Sequence, residues 1–190
     1  MISDYDIIDK KVKELVKDTR YEHSVLVSIE AEKLAKHYGI DSNKAKLVGL
    51  AHDIAKDFSD DENKYWVIKY NLDKSLLRSD YRKMIHADVG ALVCKEWFNF
   101  SDDMCLAIKY HTVANEKMSM LDKIIFIADK IGRKDIPENI KDLKEIAYEN
   151  IDKAMVFFLE WEQIYLINNG ADLLPQTKII LKELRESISK

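Results

Sequence analysis

Cysteine, glycine and proline are scarce in this chain: its 190 residues hold 2 Cys, 5 Gly and 2 Pro. Cys94 and Cys105 form no CxxC pair and neither has a histidine beside it, which argues against a zinc–thiolate site. They read instead as reduced, half-buried thiols of a cytoplasmic protein. With so little glycine and proline, and hardly any alternating β-branched stretch, strands and tight turns have little to build on. Leu, Ile, Ala, Lys and Glu dominate, which predicts an all-α fold. The opening MISDYDIIDKK lacks the apolar stretch of a signal peptide, and no run approaches membrane-spanning length, so no membrane partner is expected. An excess of positive charge is also missing. Thirty Lys and Arg face 34 Asp and Glu, a net charge of −4, so there is no basic field for nucleic acid, while a small phosphorylated ligand stays open.

What is present suits one domain with a substantial core: 47% of residues are hydrophobic and 34% charged. The spacing predicts a first helix over about Asp4 to Lys17, with Ile7, Ile8, Val12, Leu15 and Val16 in register. A second starts near Arg20 and carries His23, Val27, Ala31 and Leu34 on one stripe, closed by Gly39. Asp41 or Ser42 caps a third that runs to His52-Asp53. Ser59 and Glu62 suggest a capping box before Trp66 and Ile68. Asn71 to Met84 reads as a loop with one helical turn at Lys74 to Leu77. His86 leads a helix through Val89, Val93 and Trp97, and Ser101 opens another ending at His111. Ser119 with Asp122 starts a central apolar helix, Leu121 to Ile131. Further helices follow at Ile140 to Tyr148, about Ile151 to Asn168, and from Pro175. The metal-binding core is expected over about 18–135, with C-terminal helices over 138–190 packed on it.

Four of the five histidines, His23, His52, His86 and His111, lie in segments otherwise fit for a helical core, and His37 does not. Asp53 follows His52 directly, and Asp129 sits inside the apolar run FIADKIGR. A lone histidine is ordinarily a hydrogen-bonded core or surface residue. An unpaired buried carboxylate costs several kcal/mol, however, and one metal ion accounts for several such insertions together. Imidazole and carboxylate suit iron, manganese or another first-row divalent ion, one or two in number. His52 and Asp53 meet at a helix end, and His23 and Asp129 complete the set from other helices. His86 and His111 either ligate a second ion bridged by Asp53 or bind phosphate oxygens and donate a proton. Lys56, three residues after Asp53, and Arg133, four after Asp129, are read as phosphate clamps. Arg20 is a weaker third, and Thr112 is a hydroxyl donor to phosphate.

The pieces RYEHSVLV, GLAHDIAK, IHADVGALV, AIKYHT and MSMLDKIIFIADKIGR, in that order, resemble the HD-domain superfamily of metal-dependent phosphohydrolases. More narrowly, the chain resembles the bacterial YqeK family, the HD-type symmetrical bis(5′-nucleosyl)-tetraphosphatases. The resemblance implies a compact helical bundle with a central metal site and cleavage of diadenosine tetraphosphate to two ADP, with iron as the ion. It implies His23, His52, Asp53 and Asp129 as metal ligands and Asp53, Lys56, His86 and His111 as catalytic residues. Nucleotide contacts would come from the ligands His23, Asp53 and Asp129, from Ile54, Ala55 and Lys56, and from His86, His111, Thr112 and Arg133. The connection Gly170, Ala171, Asp172, Leu173, Leu174 and Pro175 would also lie against the nucleotide.

The expected chemistry is water activated by the metal, attacking a phosphorus near the middle of the polyphosphate chain. Two readings compete with it. One is another HD phosphohydrolase acting on deoxynucleotides, nucleotides or a cyclic nucleotide; the other is a catalytically silent nucleotide-binding sensor. Phe157, Trp161 and Tyr165 share helical spacing and are expected in the core, with a homodimer face as the alternative.

Overall fold

Ten α-helices and two short 3₁₀ turns make up the regular structure of the described residues, with no strand among them. The structure is a computed structural model that describes residues 4–79 and 81–189. Asp80, in the expected loop Asn71 to Met84, lies outside the described residues.

The caps read from sequence start and stop the helices. α1 spans Asp4–Leu15, and α2, Asp18–His37, begins two residues earlier than expected because Lys17 serves as its N-cap. Gly39, at φ +68°, ends α2 by letting Ile40 N–H reach back to the Ala35 carbonyl at 3.0 Å. Asp41 caps α3 (Ser42–Ala51) by accepting from the backbone N–H groups of Asn43 and Lys44. Capping boxes at Ser59–Glu62 and Ser119–Asp122 open α4 (Asp60–Lys69) and α7 (Met120–Ile131). Between them lie the 3₁₀ turn Lys74–Leu77, α5 (Ile85–Phe98) and α6 (Asp102–Tyr110). The expected helix Ile140 to Tyr148 is split into a 3₁₀ turn, Glu138–Ile140, and α8, Leu143–Glu149. α9 (Ile151–Asn168) is capped by the Asn150 side chain, and α10 (Pro175–Ile188) has proline in its first turn.

α7 is central. Ile124, Ile125, Phe126, Ile127 and Ala128 are all fully buried, and burying each large apolar side chain contributes about 1.5–3 kcal/mol. α2, α3, α6, α8 and α9 all pack on α7, and α3 also packs on α2 and α6. α5 pairs with α6, α4 with α5, and α10 with α9. The C-terminal ends of α3, α6 and α7, the first two turns of α2 and the first turn of α5 therefore converge.

Ile7, Ile68 and Trp97, used to trace helical register, are 49%, 60% and 40% exposed. Of the aromatic trio on α9, Phe157 and Trp161 are half-buried. Tyr165 is 54% exposed and stacks on Trp161, so only part of the trio packs inward.

Candidate metal centre

His52 is the C-cap of α3, and the backbone turns sharply after it, so His52 and Asp53 leave the helix end together. Both are buried. The His52 Nδ1–H donates to the Gly49 carbonyl at 2.7 Å, which turns Nε2 toward the carboxylates. That atom lies 3.4 Å from Asp53 Oδ2 and 3.5 Å from Asp129 Oδ1. His23, on the second turn of α2, repeats the device: its Nδ1–H donates to the Gly132 carbonyl at 3.0 Å, and its Nε2 faces Asp129 Oδ1 at 2.9 Å. His111, the C-cap of α6, donates from Nδ1 to the Ile108 carbonyl at 2.6 Å and turns Nε2 toward Asp53 Oδ1 at 3.4 Å.

Three rings thus have one nitrogen fixed by a carbonyl and the other aimed at a carboxylate. An imidazole lone pair against a carboxylate oxygen is repulsive unless a proton or a metal cation lies between them. His52 Nε2 and Asp53 Oδ1 are indeed buried without a hydrogen-bond partner among the described residues. Donor atoms of His23, His52 and Asp129 lie within 4.8 Å of one another, as do those of His52, Asp53 and His111. The residues present fit a divalent ion with nitrogen and oxygen donors.

Two glycines allow this convergence. A Cβ on Gly49 would stand 2.9 Å from the Ser28 Cα, where α3 crosses α2. One on Gly132 would stand 2.8 Å from the Val27 Cα, where the end of α7 meets α2. The same two residues lend the carbonyls that orient His52 and His23.

Charge in the cluster follows from burial and proximity. Burial alone disfavours a charged His52, but the carboxylates of Asp53 and Asp129 outweigh it, and without a metal its imidazole is pushed up to about 10. Burial would raise both carboxyls. Instead the His52 charge and the rings around Asp53 hold it well below the usual range, and Lys130, His23 and His52 do the same for Asp129. Burial pushes His86 down to about 4 and lowers His111 and Lys56.

His86, Lys56 and Thr112 form the adjoining wall. His86 Nε2 lies 3.1 Å from Asp53 Oδ1, 3.2 Å from His111 Nε2 and 3.2 Å from Thr112 Oγ1, and Lys56 Nζ donates to it at 3.0 Å. Lys56 Nζ is 3.9 Å from Asp53 Oδ1. Ile54 and Ala55, expected as nucleotide contacts, are 0% and 1% exposed. Arg133 is exposed and donates to the backbone carbonyl of Asp129 at 3.1 Å, not to its carboxylate. The cation on that carboxylate is Lys130, at 2.6 Å, braced over the rings of Phe126 and Phe158. Sequence reasoning passed over Lys130, although a lysine directly after Asp129 in an apolar run was a visible signal. Arg20, weighed lightly from sequence, donates to Asp53 Oδ2 at 2.8 Å.

The Gly170 to Pro175 connection reaches the wall at one point. Leu173 is buried, and Leu174 lines a 200 Å³ cavity together with Thr112. Gly170, Ala171, Asp172 and Pro175 are exposed. Thr177, just beyond, donates to the Ala114 carbonyl at 3.2 Å and ties α10 to the segment after His111. His37 packs against Tyr38 and Tyr148, outside the cluster.

The HD domain model matches residues 20–134, which span every residue of the cluster. The chain belongs to the HD domain family. The family resemblance read from the sequence is borne out. A symmetrical bis(5′-nucleosyl)-tetraphosphatase of Staphylococcus aureus is 32% identical over 85% of this chain and 88% of its own length. A Bacillus subtilis protein of the same name is 29% identical over 87% and 89%. Among solved structures, a Clostridium acetobutylicum protein superposes with a TM-score of 0.87 at 27% identity, covering 98% of this chain and all of the other. It is described as a predicted HD superfamily hydrolase involved in NAD metabolism.

Proposed function

We infer that this HD protein is a metal-dependent hydrolase that cleaves diadenosine tetraphosphate symmetrically to two ADP. The observation that carries this reading is His52 Nε2 aimed at two buried carboxylates, with its ring fixed by Gly49. Relatives of the same architecture, matched over most of their length, bear the name of that activity.

His23, His52, Asp53 and Asp129 would hold the ion; their nitrogen and oxygen donors suit a first-row divalent metal, and the family resemblance favours iron, with manganese as the alternative. When bound, the ion supplies Lewis acidity, lowering the pKa of water and drawing charge from phosphate oxygens. The reaction adds the oxygen of water to one inner phosphorus. The bridging oxygen leaves with its electron pair on the departing ADP, and the proton of water passes to solvent or to that oxygen. Lys56, half-buried beside Asp53, is placed to offset charge on the phosphates. His86 and His111 are neutral in the ligand-free site, so they serve first as hydrogen-bonding groups to phosphate, with Thr112. A bound phosphate raises their affinity for a proton, which gives the leaving oxygen a donor. Arg133 and the Leu174 end of the connection would contact the nucleotide.

The test is turnover by metal-loaded protein with and without Asp53→Ala. The hydrolase reading expects turnover lost in the variant while helicity and nucleotide binding persist. Nucleotide binding without turnover in the wild-type protein would instead make it a sensor.

A further inference from the structure

The four site imidazoles form an arc. Ring centroids are 5.2 Å apart from His23 to His52, 5.0 Å from His52 to His111 and 5.1 Å from His111 to His86. Asp53 and Asp129 both face His52, at 3.4 and 3.5 Å, and each also reaches toward one end, Asp129 to His23 at 2.9 Å and Asp53 to His86 at 3.1 Å. A cavity lies beside each end: His23 itself lines one, and Thr112, in contact with both His86 and His111, lines the other. At the His86–His111 end, Thr112 and Leu174 line the 200 Å³ cavity. At the other end His23 borders a groove of 560 Å³, lined also by Arg20, Glu22, Leu26, Arg133 and Lys134.

We propose that the groove beside His23 is the half-site for the second nucleoside diphosphate, and that cleavage is symmetrical because the ion site lies midway between two half-sites. This rests on the hydrolase reading and extends it to residues on the far side of the ion. A tetraphosphate laid along the arc places two phosphates on each side of its centre, with a nucleoside running into the cavity at either end. The groove has the chemistry for one such half. Arg20 uses one N–H on Asp53 and Arg133 uses one on the Asp129 carbonyl, and each planar guanidinium carries further donors suited to phosphate oxygens. Lys134 adds a third cation at the rim, paired with Glu22. Leu26 supplies apolar surface for a base or ribose, and the groove's volume lies in the range of small-molecule sites. Arg20 touches both a metal-site carboxylate and the groove, so it couples the second half of the substrate to the reacting centre.

Lys134 is 69% exposed and touches no residue of the metal cluster, so reversing its charge tests the groove without disturbing the ion. A carboxylate in place of the Lys134 ammonium, beside Glu22 and Asp135, would turn the rim acidic. With Mn²⁺-loaded protein, calorimetry is expected to find about two equivalents of ADP per wild-type chain and about one per chain in Lys134→Glu. The variant is also expected to raise KM for diadenosine tetraphosphate on the order of tenfold with kcat unchanged. A single ADP per wild-type chain, or an unchanged KM in Lys134→Glu, would overturn the proposal. Two ADP equivalents in a protein that fails to hydrolyse diadenosine tetraphosphate would retain the groove and reject the hydrolase.

Discussion

The His52 Nδ1–H sits 2.7 Å from the Gly49 carbonyl one turn earlier, and this contact aims the opposite ring nitrogen at Asp53 and Asp129. Gly49 is also the point of closest approach between α3 and α2. Gly49→Ala would force a Cβ against the Ser28 backbone, part the helices and misdirect the ring. Metal affinity is expected to fall about 10–100-fold, as for other losses of a ligand's hydrogen-bonded support. A competing chelator titration measures it. Gly39→Ala is the control: its left-handed backbone costs roughly 1–2 kcal/mol of stability in thermal unfolding, and metal affinity should not change.

Lys56 lies against His86 and near Asp53 but is not a metal donor. Lys56→Met should lower kcat/KM for diadenosine tetraphosphate on the order of 10²-fold, the usual loss for a donor that stabilises developing charge. Metal content, read by elemental analysis of the same preparation, should be unchanged.

In the metal-free protein His52 is pushed up to about 10, so near neutral pH a metal must displace its proton. One proton per ion should be released at pH 7, and affinity should rise about tenfold per pH unit until His52 titrates. Calorimetry in buffers of different ionisation enthalpy counts that proton.

The same shifts shape the stability of the metal-free protein. His52 is raised from 6.5, so its contribution is complete below that value and is lost as pH rises through about 10. His86 is depressed from 6.5 to about 4, so its contribution is present above 6.5 and is lost as pH falls through 4. For these two groups stability peaks near pH 6.5. Melting temperatures of chelator-treated protein across pH should decline on both sides.

Much of this was legible in the residues. Asp41, Ser59, Ser119 and Gly39 act through local backbone chemistry, so the helix ends they set could be read almost to the residue. The six site residues stood out because each puts a polar group on a helix face that ought to be apolar. What stayed hidden depends on contacts far apart in sequence. Arg133 was matched to Asp129 by helical spacing, but it takes the backbone carbonyl because Lys130 already occupies the carboxylate. No spacing rule says that Gly132 serves His23 across 109 positions, or that Arg20 reaches Asp53 across 33. Those pairings follow from how α2 crosses α3 and α7.

The most direct measurement is product identification after chelator-stripped protein is given back Fe²⁺ or Mn²⁺ without oxygen and mixed with diadenosine tetraphosphate. The account predicts ADP as the sole nucleotide product, formed in proportion to the metal bound and absent in chelator. AMP with ATP, or turnover undiminished by the chelator, would contradict it.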